Sequence, residues 1–575
     1  MRFIHNILPI TDWLPKYKRA YLSGDIFAGI TVGIMLIPQG MAYALIAGLP
    51  PVYGLYASIV PQLIYAIFGT SRQLSVGPVA MDSLIVAAGV SVIATAGTDA
   101  YIALAILLAF LTGVFQVLLG AMRLGFITNL LSKPVISGFT SAAALVIAFN
   151  QLHHLLGVDL GDSDKPLVIL FSFFEQVQLV HWMTLSIGLG SVLLIFTLKK
   201  VSVRIPGALF SVIIGTLLVS VYGLNEFGVS IVRSIPDGLP DFKMPEWSFD
   251  QLVDLFPLAI TLSLISYMEA FSIAKALESQ KRDHKVRPNQ ELIALGASNL
   301  VGSLFQGFSV TGGFSRSAVN KSSGANTPLA SIISAALIGV TLIFLTPLFY
   351  FLPNAVLAAV IMVGVAGLID MSYAKQLWHD SKVEFALLAG TFLITLNFNL
   401  VVGIIGGIVF SILILLYKTA YPHIARLGRV PGHHEFRNVK RFKNLEVWPH
   451  VLIIRLDAPL TFINIQYFKE YVEGHIYDPD GKVETIILDA GPISYLDASA
   501  SSGLRELLES LREKQIEFVI CDLIGPVRDM LHKTGLGEIL NKENVFFDLN
   551  EAVKYAVTHE QGDFKDFALQ ANDDM

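Results

Sequence analysis

Between about Gly24 and about Tyr421 the chain is one apolar run after another, with charged residues gathered in the gaps. Few folds accept such a pattern. A helix needs about 20 apolar residues to cross a bilayer. Candidate spans fall at 24–46, 52–69, 78–95, 100–121, 125–149, 182–198, 206–223, 253–277, 289–304, 314–324, 328–348, 354–369, 383–397 and 399–420, about fourteen in all, several too short to cross alone. With 54% hydrophobic and only 15% charged residues over 575 positions, the apolar surface exceeds what one soluble core can hide, since cores stop growing near about 250–300 residues. Lipid is the second solvent this sequence requires.

Lysine and arginine placement gives an orientation. With a cytoplasmic N-terminus, the inner segments carry Lys16, Lys18, Arg19, Arg72, Arg123, Lys199, Lys200, Arg204, Lys281, Arg282, Lys285, Arg287, Lys375, Lys382 and the cluster after Lys418. The outer loops keep only Lys165, Arg233 and Lys243 among many acids, Asp159, Asp162, Asp164, Asp237, Asp241 and Glu246. Both termini are therefore expected in the cytoplasm, in a cell membrane. The first residues show no removable signal peptide pattern. A net charge of −6 gives no sign of a nucleic-acid partner. The lone Cys521, in the apolar run FVICDL, rules out a disulfide framework and reads as a buried strand residue.

Two places break the apolar pattern with small and polar residues: Gly69 to Leu84 (GTSRQLSVGPVAMDSL) and Gly307 to Gly324 (GFSVTGGFSRSAVNKSSG). In each, an extended Ser/Gly-rich stretch precedes a short helix start, at Pro78-Val79-Ala80 and at Ser315-Arg316-Ser317. Backbone left unpaired at membrane depth is tolerated only beside protein or a polar cavity. The breaks fall in the third span of each half, and seven spans per half give the halves opposite orientation. Paired broken helices of an inverted repeat point to a midplane site where two helix N-termini meet. Free N–H donors and a partial positive charge there favour an anion. The plainer alternative is glycine-mediated helix packing.

Glu269 lies mid-span in the eighth helix, where a carboxylate costs about 2.5–3.5 kcal/mol. A carboxyl that exchanges a proton, or holds a cation when ionised, is what secondary active transport requires; a structural Glu bonded to a neighbouring helix is the alternative. Arg316 adds a permanent charge and several donors at the second half-helix, suited to an oxyanion, unless it simply neutralises Glu269. Gln39 and Tyr43, one turn apart after Pro38, share a helix face. Asp82, His153 and His154 are weaker candidates. No metal cluster, nucleophile–base pair or phosphate loop is apparent, so neither an enzyme nor a cofactor is expected.

The run Pro38 to Met81 (PQGMAYALIAGLPPVYGLYASIVPQLIYAIFGTSRQLSVGPVAM) closely resembles the signature of the sulfate permease family of anion transporters, and Phe308 to Ala330 (FSVTGGFSRSAVNKSSGANTPLA) is similar to that family's tenth-helix region. The resemblance extends over essentially the whole chain. It implies a polytopic α-helical membrane protein of about 14 spans in 7+7 inverted repeats, with core and gate domains in a fold shared with nucleobase transporters. It implies an anion site of Gln39, Tyr43, Val79, Ala80, Ser315 and Arg316, with Glu269 linked to the driving ion. Glutamate there leans toward protons; some sodium-coupled bicarbonate carriers of the family have aspartate. The expected activity is proton-coupled sulfate uptake by elevator-type alternating access, with sodium-coupled bicarbonate or proton-coupled dicarboxylate transport as alternatives. A membrane-anchored scaffold would need neither the paired breaks nor the intramembrane acid.

Beyond Tyr421 charge becomes frequent. VLIIRLDAPLTF, VETIILDAG and FVICDL read as strands, alternating with helices over NIQYFKEYVEGHI, LRELLESLREKQ and PVRDMLHKTGL, a small α/β domain covered on both sheet faces. It resembles the STAS domain shared with bacterial anti-sigma-factor antagonists. The resemblance centres on Ile493 to Leu507 (ISYLDASASSGLREL), where Ser499 takes the place of the antagonists' phosphorylated serine and their glycine is missing; a helix-capping Ser499 is the alternative. The expected division is a cytoplasmic segment 1–23, transport domain 24–421, basic linker 422–435, cytoplasmic STAS domain 436–560 and acidic tail 561–575. Expected partners are a small anion, a coupling proton or sodium ion, membrane lipid, a second copy in a homodimer and a cytosolic partner of the STAS domain.

Overall fold

The structure, a computed structural model, describes residues 8–126, 132–158, 177–201, 207–233, 236–280, 285–367, 369–398, 400–478, 481–540 and 542–558. Part of the 125–149 span, Asp159, Asp162, Asp164, Lys165, Arg204, Lys281, Arg282 and the tail 561–575 lie outside the described residues. The chain forms two compact units, Met1–Ser411 and Ile412–Met575.

The first unit follows the apolar runs. In chain order the principal helical segments are α1 (Leu22–Ile46), α2 (Pro51–Phe68), α3 (Ala80–Val90), α4 (Asp99–Ala121), α5 (Lys133–Asn150), α6 (Trp182–Val201) and α7 (Gly207–Tyr222), then α8 (Phe249–Gln280), α9 (Pro288–Leu304), α10 (Phe314–Ser322), α11 (Leu329–Phe349), α12 (Asn354–Ala366), α13 (Lys382–Asn397) and α14 (Leu400–Ala420), the last of which runs across the boundary between the units. Among the described residues seven helices are long and apolar enough to cross a membrane. The third segment of each set of seven is short and preceded by a two-residue strand, β1 (Val76–Gly77) and β2 (Thr311–Gly312). These strands pair antiparallel, Val76 opposite Gly312 and Gly77 opposite Thr311.

Packing repeats between the sets. Helix α1 lies on α11 as α8 lies on α4; α5 lies on α13 as α12 lies on α6; α1 meets α10 as α8 meets α3. With seven segments per set, this correspondence is an inverted repeat. It sorts the helices into two bundles, α1–α4 with α8–α11, and α5–α7 with α12–α14. Glycines permit the closest crossings: a Cβ on Gly113 of α4 would stand 2.4 Å from the Leu300 nitrogen of α9, and one on Gly54 of α2 would stand 1.9 Å from the Gly40 oxygen of α1. Small residues let membrane helices approach this closely, where packing rather than water supplies the attraction.

The second unit carries a six-stranded sheet of β3 (Ile424–Arg429), β4 (Phe436–Asn438), β5 (Val451–Leu456), β6 (Thr485–Asp489), β7 (Glu517–Cys521) and β8 (Val545–Phe546), in the order β8-β7-β6-β5-β3-β4. Strands β5 to β8 are parallel; β3 runs antiparallel to β5 and β4. Period-two alternation explains the near-continuous apolar strands. Leu452, Ile454, Leu456, Ile486, Leu488, Phe518 and Ile520 meet α15 (Ile465–Gly474), α16 (Ala498–Glu513) and α17 (Gly525–Lys533). Val451, Ile453, Ile487, Val519 and Cys521 meet α18 (Leu549–Thr558). Cys521 is buried there, and burial pushes its thiol up from the ordinary range. The basic stretch read as a linker contains β3, whose Ala425 and Leu427 are buried; it is part of the sheet.

Candidate functional site

Each broken segment solves the same problem, a backbone that leaves helical geometry at membrane depth. The β1–β2 ladder satisfies part of it, and Gly313 N–H donates to the Ser75 carbonyl at 3.0 Å. Side chains satisfy more. Asn299 of α9 acts as a surrogate strand for Val310, accepting its N–H at 2.8 Å and donating to its carbonyl at 3.0 Å. The same amide donates to Gln116 of α4 at 3.1 Å, and Gln116 donates to the Ser266 hydroxyl of α8 at 2.7 Å. Ser317 accepts the Ser75 N–H at 2.9 Å, and Asn320 donates to the Gln73 carbonyl at 2.9 Å. Buried polar groups with partners such as these cost little and fix geometry.

The two helices that follow start without side-chain caps. Val79 precedes α3 and Gly313 precedes α10, both in extended conformation. The first turns therefore present free N–H groups. Between them lies a cavity of about 410 Å³. Gln39, Tyr43, Val79, Ala80, Glu269, Ser315 and Arg316 all line it, so the six binding candidates and the coupling candidate converge from four helices. The opposite wall comes from the other bundle: Ile195 of α6, Gly207 and Ala208 of α7, and Val360, Val363 and Gly364 of α12. A Cβ on Gly364 would come 3.5 Å from the Tyr43 hydroxyl.

Arg316 spans the gap between the helix starts. Its Nη1 donates to the Pro78 carbonyl at 2.8 Å, across from α10 to the approach of α3. The side chain is 2% exposed, yet Nε and Nη2 have no hydrogen-bond partner. Oε2 of Glu269 and Oε1 of Gln39 are likewise buried and unpartnered. Arg316 therefore does not spend its donors on Glu269. A permanent cation with two open donors, two uncapped helix starts and an apolar far wall can hold a small oxyanion by charge-assisted hydrogen bonds. No group of three or more potential metal ligands occurs among the described residues.

Other candidates lie elsewhere. Asp82 is in the first turn of α3, fully buried behind the cavity wall. His153 and His154, ring centroids 3.8 Å apart, sit in the short helix Leu152–Leu156 after α5 and do not line the cavity. Ser499 is exposed in the first turn of α16, but the cap is Asp497, which accepts the Ala500 N–H at 2.7 Å. Two fully buried acids escaped the sequence reading. Asp25 accepts from Asn326 N–H at 2.6 Å and the Thr327 hydroxyl at 2.7 Å; Glu291 accepts from the Tyr65 hydroxyl and the Thr70 N–H, each at 2.7 Å. Both pin loops beside the broken segments. An acid within an otherwise apolar helix start was the available signal.

Residues 22–391 match the family model described as the sulfate permease family, and residues 443–552 match the STAS domain. A chloroplastic sulfate transporter 4.1 of Arabidopsis thaliana is 36% identical over 577 residues, covering 97% of this chain and 84% of that protein. A probable sulfate transporter of Mycobacterium tuberculosis is 33% identical, covering 94% of this chain and 96% of that protein. The solved structure of murine solute carrier 26 family member A9, described as an anion transporter in the inward-facing state, superposes with a TM-score of 0.90 at 27% identity, covering 97% of this chain and 95% of that one.

Proposed function

Because the chain belongs to the sulfate permease family, a family of multi-pass membrane transporters of anions, we propose that it takes up sulfate together with protons by secondary active transport. The observation that carries this reading is the cavity where Arg316 keeps two open donors between the uncapped starts of α3 and α10. Sulfate would sit against the N–H groups near Val79, Ala80 and Ser315, with Arg316 supplying charge and Gln39 and Tyr43 closing the side. Glu269 lines the same cavity and carries the coupling proton. The relatives named as sulfate transporters support the choice of anion.

One wall of the cavity belongs to each bundle, which supports alternating access by an elevator movement. The bundle of α1–α4 and α8–α11 would carry the anion past α5–α7 and α12–α14. The smooth far wall of Val360, Val363 and Gly364 offers the anion no competing donor. The lysine and arginine bias supports a protein of the plasma or inner membrane with both termini and the STAS domain in the cytoplasm. A homodimer, a cytosolic partner of the STAS domain and a regulatory role for Ser499 belong to the same proposal.

The test is uptake by purified protein in liposomes, with sulfate, bicarbonate or a dicarboxylate outside and a proton or a sodium gradient imposed. Sulfate accumulation driven by protons is expected. Accumulation driven only by sodium, or no sulfate flux with brisk bicarbonate flux, would replace this reading.

A further inference from the structure

Asp82 of α3 is a buried acid that the proposed cycle leaves unused and that, unlike Asp25 and Glu291, has no hydrogen-bond donor of its own among the described residues. It is fully buried, and neither carboxyl oxygen has a hydrogen-bond partner. Beside it lies the Ser309 hydroxyl, also fully buried and without a partner. The charge acting on Asp82 is that of Glu269, across the α3–α8 contact. The other helices packed on α3 supply none, since α1, α4 and α5 are charged only at their ends, at Asp25, Asp99 and Lys133, and α12 carries no charge at all. Beyond Glu269 stand Arg316 of α10 and Tyr43 of α1. Three orphaned oxygens therefore face one another one layer behind the cavity wall formed by Val79, Ala80 and Met81. A buried carboxylate without a donor is costly, and natural structures neutralise it or pair it.

We propose that Asp82 is a second proton-binding carboxyl that works with Glu269, so that two protons travel with each divalent anion. The proposal rests on the sulfate–proton reading given above. In each step one O–H bond forms on a carboxylate oxygen on the side where protons enter, and the same bond breaks on the other side; the anion itself is unchanged. A proton on Asp82 removes the buried charge, and the carboxyl then bonds the Ser309 hydroxyl as a neutral partner.

Charge counting gives this a consequence. The unloaded site holds Arg316 against Glu269 and Asp82, a net charge of minus one. Loaded with sulfate and two protons it is again minus one, so both crossings move the same charge and the cycle is electroneutral. With Glu269 as the lone carrier, the loaded site would gain a negative charge relative to the empty one, and uptake would work against a negative interior.

The experiment uses the full chain in liposomes, with labelled sulfate, a pH-sensitive dye inside and potassium–valinomycin clamping of the membrane potential. Wild type is expected to move two protons per sulfate, with uptake insensitive to the potential. Asp82→Asn should move one proton per sulfate and become slower as the interior is made negative, while Asp82→Glu restores the two-proton ratio. An Asp82→Asn protein with wild-type ratio and voltage response would overturn the proposal. So would an inactive Asp82→Asn that Asp82→Leu rescues and Asp82→Glu does not, because Asp82 would then act through packing. A wild type with no proton-driven sulfate uptake would instead sink the underlying transport reading.

Discussion

The starts of α3 and α10 occupy equivalent places in the two halves, yet they are chemically opposite. Each follows a two-residue strand, each begins without a side-chain cap, and the strands pair with each other. Helix α3 is apolar after its start apart from buried Asp82 and Ser83. Helix α10 is polar and brings Arg316 across to the Pro78 carbonyl. The repeat supplies the pocket, by bringing two helix starts together. The departures from the repeat supply its sign and its coupling, because a strictly symmetric pocket would hold two arginines or none.

The harshest way to break the comparison is to remove the charge opposed to Arg316. Glu269→Gln should cut pH-dependent accumulation sharply, to the one proton per sulfate that Asp82 alone can carry, while sulfate counterflow persists, measured as labelled exchange at equal pH; unchanged proton-driven uptake would remove Glu269 from coupling. Next comes Arg316→Ala, which leaves the start of α10, like that of α3, without a cation. Hydrogen bonds to charged groups contribute about 1.5–3 kcal/mol, so sulfate affinity in a direct binding assay should fall about 10–150-fold, for selenate as well as sulfate.

Paired glycine substitutions sharpen the contrast. A Cβ at Gly313 would stand 2.7 Å from the Arg316 Cζ, whereas one at Gly77 would stand 3.4 Å from Nη2. Gly313→Ala should displace the guanidinium and cost about 1–3 kcal/mol of binding; Gly77→Ala should cost less than about 0.5 kcal/mol. Equal effects would mean that Arg316 is not held where it matters.

The smallest effect lies in the soluble unit and leaves both helix starts alone. Arg455 and His423 bond Asp457 at 2.7 and 2.8 Å and, against partial burial, hold its carboxyl below the ordinary range. A depressed folded value gives stability that is present above the unfolded value, near about pH 4, and is lost as pH falls through the lower one. Asp457→Asn should therefore flatten the acid limb of unfolding slightly without changing sulfate affinity.

What the sequence made legible follows from how strongly each rule is enforced. Lipid enforces apolar length, and water at membrane depth is scarce, so the runs, the two breaks, Glu269 and Arg316 stand out. Two-sided burial makes β5, β6 and β7 read as apolar strands. Strand β3 is hidden because IARLGR buries only Ala425, Leu427 and Gly428, interrupted by Arg426 and ended by Arg429, too little to signal a period of two. The far wall of the cavity was illegible too: Val360, Val363 and Gly364 differ in no way from any membrane helix, and only tertiary packing gives them a role. Asp82 reads in sequence as one more polar residue of a helix, and burial on all sides is what distinguishes it.

The central matter is whether an anion sits between these two helix starts. An experimental map of the protein in lipid with selenate present measures it directly. Density between Val79–Ala80 and Ser315–Arg316, lost in Arg316→Ala, is the expected result. Density elsewhere, or an occupied pocket that survives loss of the guanidinium, would contradict it.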